Sequence, residues 1–111
     1  GCGSFLTDFV VIPTGAYTVS INWTAAPEFV QYQYEVEHST DQIEWNTIAV
    51  VNGKHIDNAP NGYNFVHTQP ENGRNLYRIK RASSTAEVIS EVREINLEYS
   101  LAESVAIYPN P

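Results

Sequence analysis

An all-β immunoglobulin-like sandwich of about seven antiparallel strands is the fold class that three features of the sequence predict. The hydrophobic pattern repeats every second residue rather than every 3.6. Turn residues recur about every 8–12 positions. The length of 111 residues suits one domain, and an apolar fraction of 42% is enough for a core without disulfides.

The first strand is expected from Phe5 to Ile12, stopped by Pro13-Thr14-Gly15. From Tyr17 to Thr24 the alternation is strict: Tyr17, Val19, Ile21 and Trp23 point one way, Thr18, Ser20, Asn22 and Thr24 the other. Gln31 to Glu37 repeats it, with Tyr32, Tyr34 and Val36 inward and Gln31, Gln33, Glu35 and Glu37 outward. Trp45 to Val51 is rich in aromatic and β-branched residues. Tyr63 to Thr68 sets Tyr63, Phe65 and His67 on one face, and Asn75 to Ala82 sets Tyr77 and Ile79 inward. Glu87 to Leu97 changes phase partway, which a bulge near Arg93-Glu94 would reconcile. Pro13, Gly15, Pro27, Gly53, Pro60-Asn61-Gly62, Pro70 and Gly73 are read as breaks between strands. Glu28 to Gln31 has room for a helical turn at most. A closed barrel competes less well, because the glycine-rich corners of closure are missing.

Charge and cysteine content exclude several classes. Thirteen acids against six bases leave a net charge of −7. A nucleic-acid surface needs clustered Lys and Arg, so that partner is not expected. No apolar run approaches the roughly 18–20 residues of a helical membrane span. The single cysteine, Cys2, can form no internal disulfide and no Cys-based zinc site. Near the N-terminus it is either a lipid-acceptor cysteine or an ordinary thiol. The absence of methionine implies a processed chain or part of a longer one.

Individual residues point to structure more than to chemistry. Trp23 and Tyr77 are the expected core anchors; Tyr77 follows the turn Pro70–Gly73 as a tyrosine corner would, its hydroxyl tied to that loop. His38, His55 and His67 show no metal-ligand spacing. Glu35 and Glu37 share an outward face, and Arg78 and Lys80 another, which suits cross-strand ion pairs. Asn22-Trp23-Thr24 matches the glycosylation tripeptide on an outward-facing asparagine. Tyr32, Trp45, Tyr63 and Tyr99 are the aromatics a ligand could use if exposed. No catalytic, cofactor-binding or metal-binding residues are expected, and no cofactor.

Several segments together carry a resemblance. They are Val19–Glu28 with Trp23-Thr24, Tyr34-Glu35-Val36-Glu37-His38-Ser39-Thr40-Asp41, Trp45–Val51, Leu76-Tyr77-Arg78-Ile79-Lys80 and the final Tyr108-Pro109-Asn110-Pro111. The chain resembles the fibronectin type III-like domain that precedes the C-terminal sorting domain of type IX secretion substrates in the Bacteroidetes. It departs from that pattern in having His38 for a basic Arg, Gln42 for the turn glycine, and Ser83-Ser84-Thr85-Ala86 for an Asp-Gly turn. The resemblance implies a sandwich over residues 1–98, a linker over 99–111, and Tyr108, Pro109, Asn110 and Pro111 as the opening of a sorting tail. It also implies export to the cell surface or medium. The expected partners are an upstream domain and, through the tail, the secretion machinery.

The function expected is therefore a non-enzymatic spacer or accessory module. A module binding carbohydrate or protein through exposed aromatics is the alternative. An enzyme would require a convergent polar cleft that the sequence does not assemble.

Overall fold

The computed structural model describes residues 5–15 and 17–97. Cys2, Tyr99, the expected linker 99–111 and its motif Tyr108-Pro109-Asn110-Pro111 lie outside the described residues. The described chain is all-β: two antiparallel sheets pack face to face as a β-sandwich.

The strands are β1 (Leu6–Gly15), β2 (Thr18–Ala25), β3 (Gln33–Ser39), β4 (Asn46–Asn52), β5 (Asn61–Thr68), β6 (Gly73–Ala82), β7 (Glu87–Ile89) and β8 (Arg93–Leu97). One sheet has the order β1-β2-β5; the other runs β4-β3-β6, with β7 and β8 both paired to β6.

Four boundaries differ from expectation, the first being that Gly73 is no break but opens β6, paired with Leu97. Pro13 does not stop β1, because β1 is an edge strand and an edge tolerates a missing N–H; the pairing to β2 instead shifts register after Pro13. Asn61 and Gly62 belong to β5 rather than to the preceding turn, paired with Ala25 and Thr24. The last strand is broken in two rather than bulged near Arg93. β7 pairs with Lys80–Ala82 and β8 with Gly73–Tyr77. Ser90 closes the gap opposite Ile79: its Oγ accepts from Ile79 N–H at 2.8 Å and its N–H donates to Ile79 O at 2.8 Å. The break restores the phase change that the sequence shows in Val88 and Ile95.

The core follows the alternation. Val19, Ile21, Trp23, Ala25 and Tyr63 face Tyr34, Val36, Tyr77 and Ile79 across the sandwich, all buried. Trp23 stacks on Tyr63 with centroids 5.5 Å apart, and Tyr34 leans on Tyr63 at 4.8 Å. Tyr17, expected inward, is instead exposed in the turn before β2. Glu28–Gln31 forms no helical turn; the chain bends at Phe29 and Val30.

On the outward face of the second sheet, Glu37 lies opposite Arg78 and Glu35 opposite Lys80. Arg78 Nε approaches Glu37 Oε1 at 2.7 Å and Lys80 Nζ approaches Glu35 Oε1 at 3.4 Å.

At Gln42 the backbone is left-handed, with φ of 65°. This is the position where the resembled pattern carries glycine, which adopts that conformation without the Cβ clash. Gln42→Gly is therefore expected to raise stability by roughly 0.5–1 kcal/mol, net of the extra freedom glycine has when unfolded. A urea midpoint that falls would contradict this reading of the turn.

Candidate functional site

Three places gather polar side chains, and each is built differently. The first lies at the end of the sandwich where the β2–β3 connection crosses the core. Glu28 is fully buried there. Its Oε2 accepts from Tyr34 Oη at 2.5 Å and Tyr63 Oη at 2.7 Å, and its Oε1 accepts from His55 N–H at 2.7 Å. Its own N–H donates to Ile56 O at 2.8 Å. Tyr63 Oη in turn accepts from Lys54 N–H at 2.9 Å. A carboxylate in this position ties the β2–β3 and β4–β5 connections to two core tyrosines.

The chemistry of that cluster is holding rather than reacting. Burial, reinforced by hydrogen bonding to Glu28 and its charge, pushes the Tyr34 phenol well above its ordinary range. Tyr63 is pushed up to about 12, by burial first; the Lys54 amide pulls it down, and the Glu28 hydrogen bond pushes it up. Both phenols stay protonated at neutral pH and donate to Glu28. Trp23 Nε1 is buried beside this cluster without a hydrogen-bond partner.

The second gathering lies where β3, β5 and β6 meet. The rings of His38 and His67 are 4.9 Å apart, and His67 Nδ1 is 2.8 Å from Tyr77 Oη. His38 Nε2 donates to Asn75 Oδ1 at 2.7 Å, since the Asn75 amide nitrogen is committed to Glu71 O and Gly73 O. The sandwich thus brings two of the three histidines together, while His55 joins the Glu28 cluster only through its backbone. Burial, then the neighbouring His38, holds His67 below the ordinary imidazole range; Glu71 opposes this.

A depressed histidine has a defined effect on stability. The folded state resists the proton that the unfolded chain accepts near pH 6.5, so stability is full above that pH and declines as pH falls toward the lower folded pKa. The urea midpoint of the wild type should fall more between pH 7.5 and 5 than that of His67→Gln. Equal slopes would remove His67 as the cause.

Beside His38 is a polar cavity of about 210 Å³ lined by Ser39, Thr40, Asp41, Glu44, Asn46 and Glu71. Asp41 is occupied by its own turn. The N–H groups of Glu44 and Ile43 and the Ser39 hydroxyl bond its Oδ1, and they hold its carboxyl below the usual range. Among the described residues no group of three or more His, Cys, Asp or Glu is placed to hold a metal ion.

The third gathering is a cavity of about 290 Å³ lined by Val30, Tyr32, Arg81, Ser83, Thr85, Ala86 and Val88. Here the Arg81 guanidinium lies over Tyr32 at 4.0 Å and over Phe5 at 4.6 Å from the ring centroids.

The residues singled out by sequence fall as follows. Trp23 and Tyr77 are 1% and 0% exposed. The Tyr77 hydroxyl meets His67, and the Asn75 side chain grips the 71–73 turn, accepting from Glu71 N–H at 3.0 Å and donating to Glu71 O and Gly73 O. Tyr63 is buried, and Trp45 lies under the Arg78 guanidinium at 4.1 Å. These rings and Tyr32 therefore form no open aromatic row. Asn22 is half-buried on the central strand β2, its amide donating to Ser20 Oγ at 3.0 Å and accepting from Asn64 at 2.8 Å. Glu28 was not anticipated as a buried group. The available signal was the pair of inward tyrosines Tyr34 and Tyr63, whose hydroxyls need an acceptor inside.

No family model matches the chain, and no curated protein matches it by sequence. Among solved structures, a family 76 glycoside hydrolase from a bovine Bacteroides thetaiotaomicron strain is similar over 83% of this chain, with a TM-score of 0.62 at 19% identity. The chain spans 20% of that hydrolase's length. A myokine structure is similar over 86% of this chain and 97% of its own, with a TM-score of 0.57 at 9% identity. Likenesses at these identities show the fold alone.

Proposed function

We propose that the chain is a non-enzymatic spacer module of immunoglobulin or fibronectin type III type, within an exported or cell-surface bacterial protein and placed before a type IX sorting tail. The observation that carries this reading is the use made of the reactive side chains. Glu28 is enclosed by tyrosines, Glu35 and Glu37 are ion-paired across strands, Asp41 is held in its turn, and His38 is bonded to Asn75. These groups serve the fold, which is what a rigid connector requires.

Two further features support it. The order β1-β2-β5 against β4-β3-β6, with the divided last strand paired to β6, supports a reading as a sandwich of this kind. A domain of this shape makes up about a fifth of a longer glycoside hydrolase chain, as an appended module would. The bacterial and type IX context rests on the resemblance of Trp23-Thr24, Glu35-Val36-Glu37, Tyr77-Arg78-Ile79-Lys80 and Tyr108-Pro109-Asn110-Pro111.

The test is the reading frame on both sides of residues 1–111. The proposal expects a separate domain upstream of Gly1 and a sorting domain directly after Pro111. A stop codon just after Pro111 would end the type IX part of it.

A further inference from the structure

Four of the six Lys and Arg side chains of this acidic chain pair with acids among the described residues. Arg74 pairs with Glu94, Arg78 with Glu37, Lys80 with Glu35, and Arg93 with Glu91, at 2.7–3.4 Å. Among the described residues Lys54 and Arg81 have no such partner, and Arg81 is the one arginine of the two. In a chain carrying thirteen acids and six bases, an unpaired guanidinium is conspicuous.

Its surroundings are also built. Phe5 and Tyr32 lie against the half-buried guanidinium at 4.6 and 4.0 Å, and among the described residues no side chain or backbone group bonds its N–H edge. That residue opens on the 290 Å³ cavity. Val30, Ala86 and Val88 give the cavity methyl groups, and Ser83 and Thr85 give it hydroxyls.

We propose that this cavity is a binding site for a carboxylate carried on a compact apolar group, the Arg81 guanidinium taking both carboxylate oxygens while Val30 and Val88 cover the apolar part. A planar fork packed against two rings is oriented before the ligand arrives, so little rotamer freedom is lost on binding. Such a carboxylate comes either from a free branched-chain acid or from the C-terminal residue of a peptide. The site goes beyond the spacer reading and stands whether or not that reading does.

The experiment titrates the whole chain by NMR, following backbone amides and the Arg81 Nε–H, with three probes. N-acetylvaline mimics a peptide C-terminus, 3-methylbutanoate is the free acid, and N-acetylvalinamide lacks the charge. The site predicts saturable shifts at Arg81, Ser83 and Val88 with an affinity of roughly 1–10 mM for a carboxylate probe. It predicts at least about tenfold weaker binding of the amide and weakening by salt. Binding of both acids supports the shared chemistry; binding of N-acetylvaline alone assigns the site to a peptide C-terminus.

Arg81→Gln should weaken binding about tenfold or more. Because that substitution also removes two ring contacts, Val30→Glu is the companion: Val30 is exposed, and an acid there competes for Arg81 without altering it. The proposal is overturned if no carboxylate probe shifts these resonances. It is also overturned if the amide binds as well as the acid, or if folded Val30→Glu binds like the wild type.

Discussion

Glu28→Ala should lower stability by about 3–5 kcal/mol, the range for removing one member of a buried charged hydrogen-bonded set. Three donors lose their acceptor at once: Tyr34 Oη, Tyr63 Oη and the His55 amide. The two phenols are buried and have no water to turn to, whereas the His55 amide belongs to an exposed residue. For a domain of this size the loss corresponds to a drop of roughly 15–30 °C in Tm. Total stability of such domains is about 5–15 kcal/mol, so the variant sits at the margin of folding. The triple variant Glu28→Leu with Tyr34→Phe and Tyr63→Phe separates mechanism from mere sensitivity. With the buried hydroxyls gone as well as the acid, much of the loss should be recovered, leaving the His55 and Lys54 amides as the donors without their acceptors. If the triple variant is no more stable than Glu28→Ala, the hydrogen bonds are not what Glu28 contributes.

Trp23→Ala should cost a similar 3–5 kcal/mol, by a different route. Trp23 is 1% exposed and packs against both Tyr63 and Tyr34, with centroids 5.5 and 6.1 Å away. Truncation leaves a cavity between the sheets that the paired strands cannot close. Trp23→Phe should cost much less, about 1–2 kcal/mol, because the indole N–H has no hydrogen-bond partner to lose. Denaturant midpoints of the two variants decide it. A phenylalanine variant as unstable as the alanine one would mean that the indole N–H carries an interaction.

The strands were legible in the sequence because β2 alternates throughout and β3 and β6 do so over Gln33–Val36 and Tyr77–Lys80. Val19, Ile21 and Trp23 on β2 and Tyr34 and Val36 on β3 lie where period two puts them. What was not legible depends on register and on long-range partners. Pro13 reads as a stop unless its strand is known to be an edge. The split between β7 and β8 depends on Ser90 standing opposite Ile79, which only the pairing with β6 decides. The same holds for the polar groups. Glu35 and Glu37 could be matched with Lys80 and Arg78 because equal spacing on neighbouring strands suffices. Glu28, by contrast, meets Tyr63 from 35 positions away, and His38 meets Asn75 from 37. Separations of that kind carry no local pattern. Arg81 follows Arg78 and Lys80 in the sequence, and its lack of an acid partner among the described residues emerges only once Arg78 and Lys80 are seen to hold Glu37 and Glu35.

The spacer role is tested most directly by removing the module from its parent protein. Residues 5–97 would be replaced with a flexible linker of comparable reach, and kcat/KM, or Kd for a binding protein, measured on a small soluble ligand of the remaining region. The account predicts an unchanged value for the shortened parent and no turnover of that ligand by the isolated 111-residue chain. Loss of the parent's activity on the small ligand, or turnover by the chain alone, would contradict it.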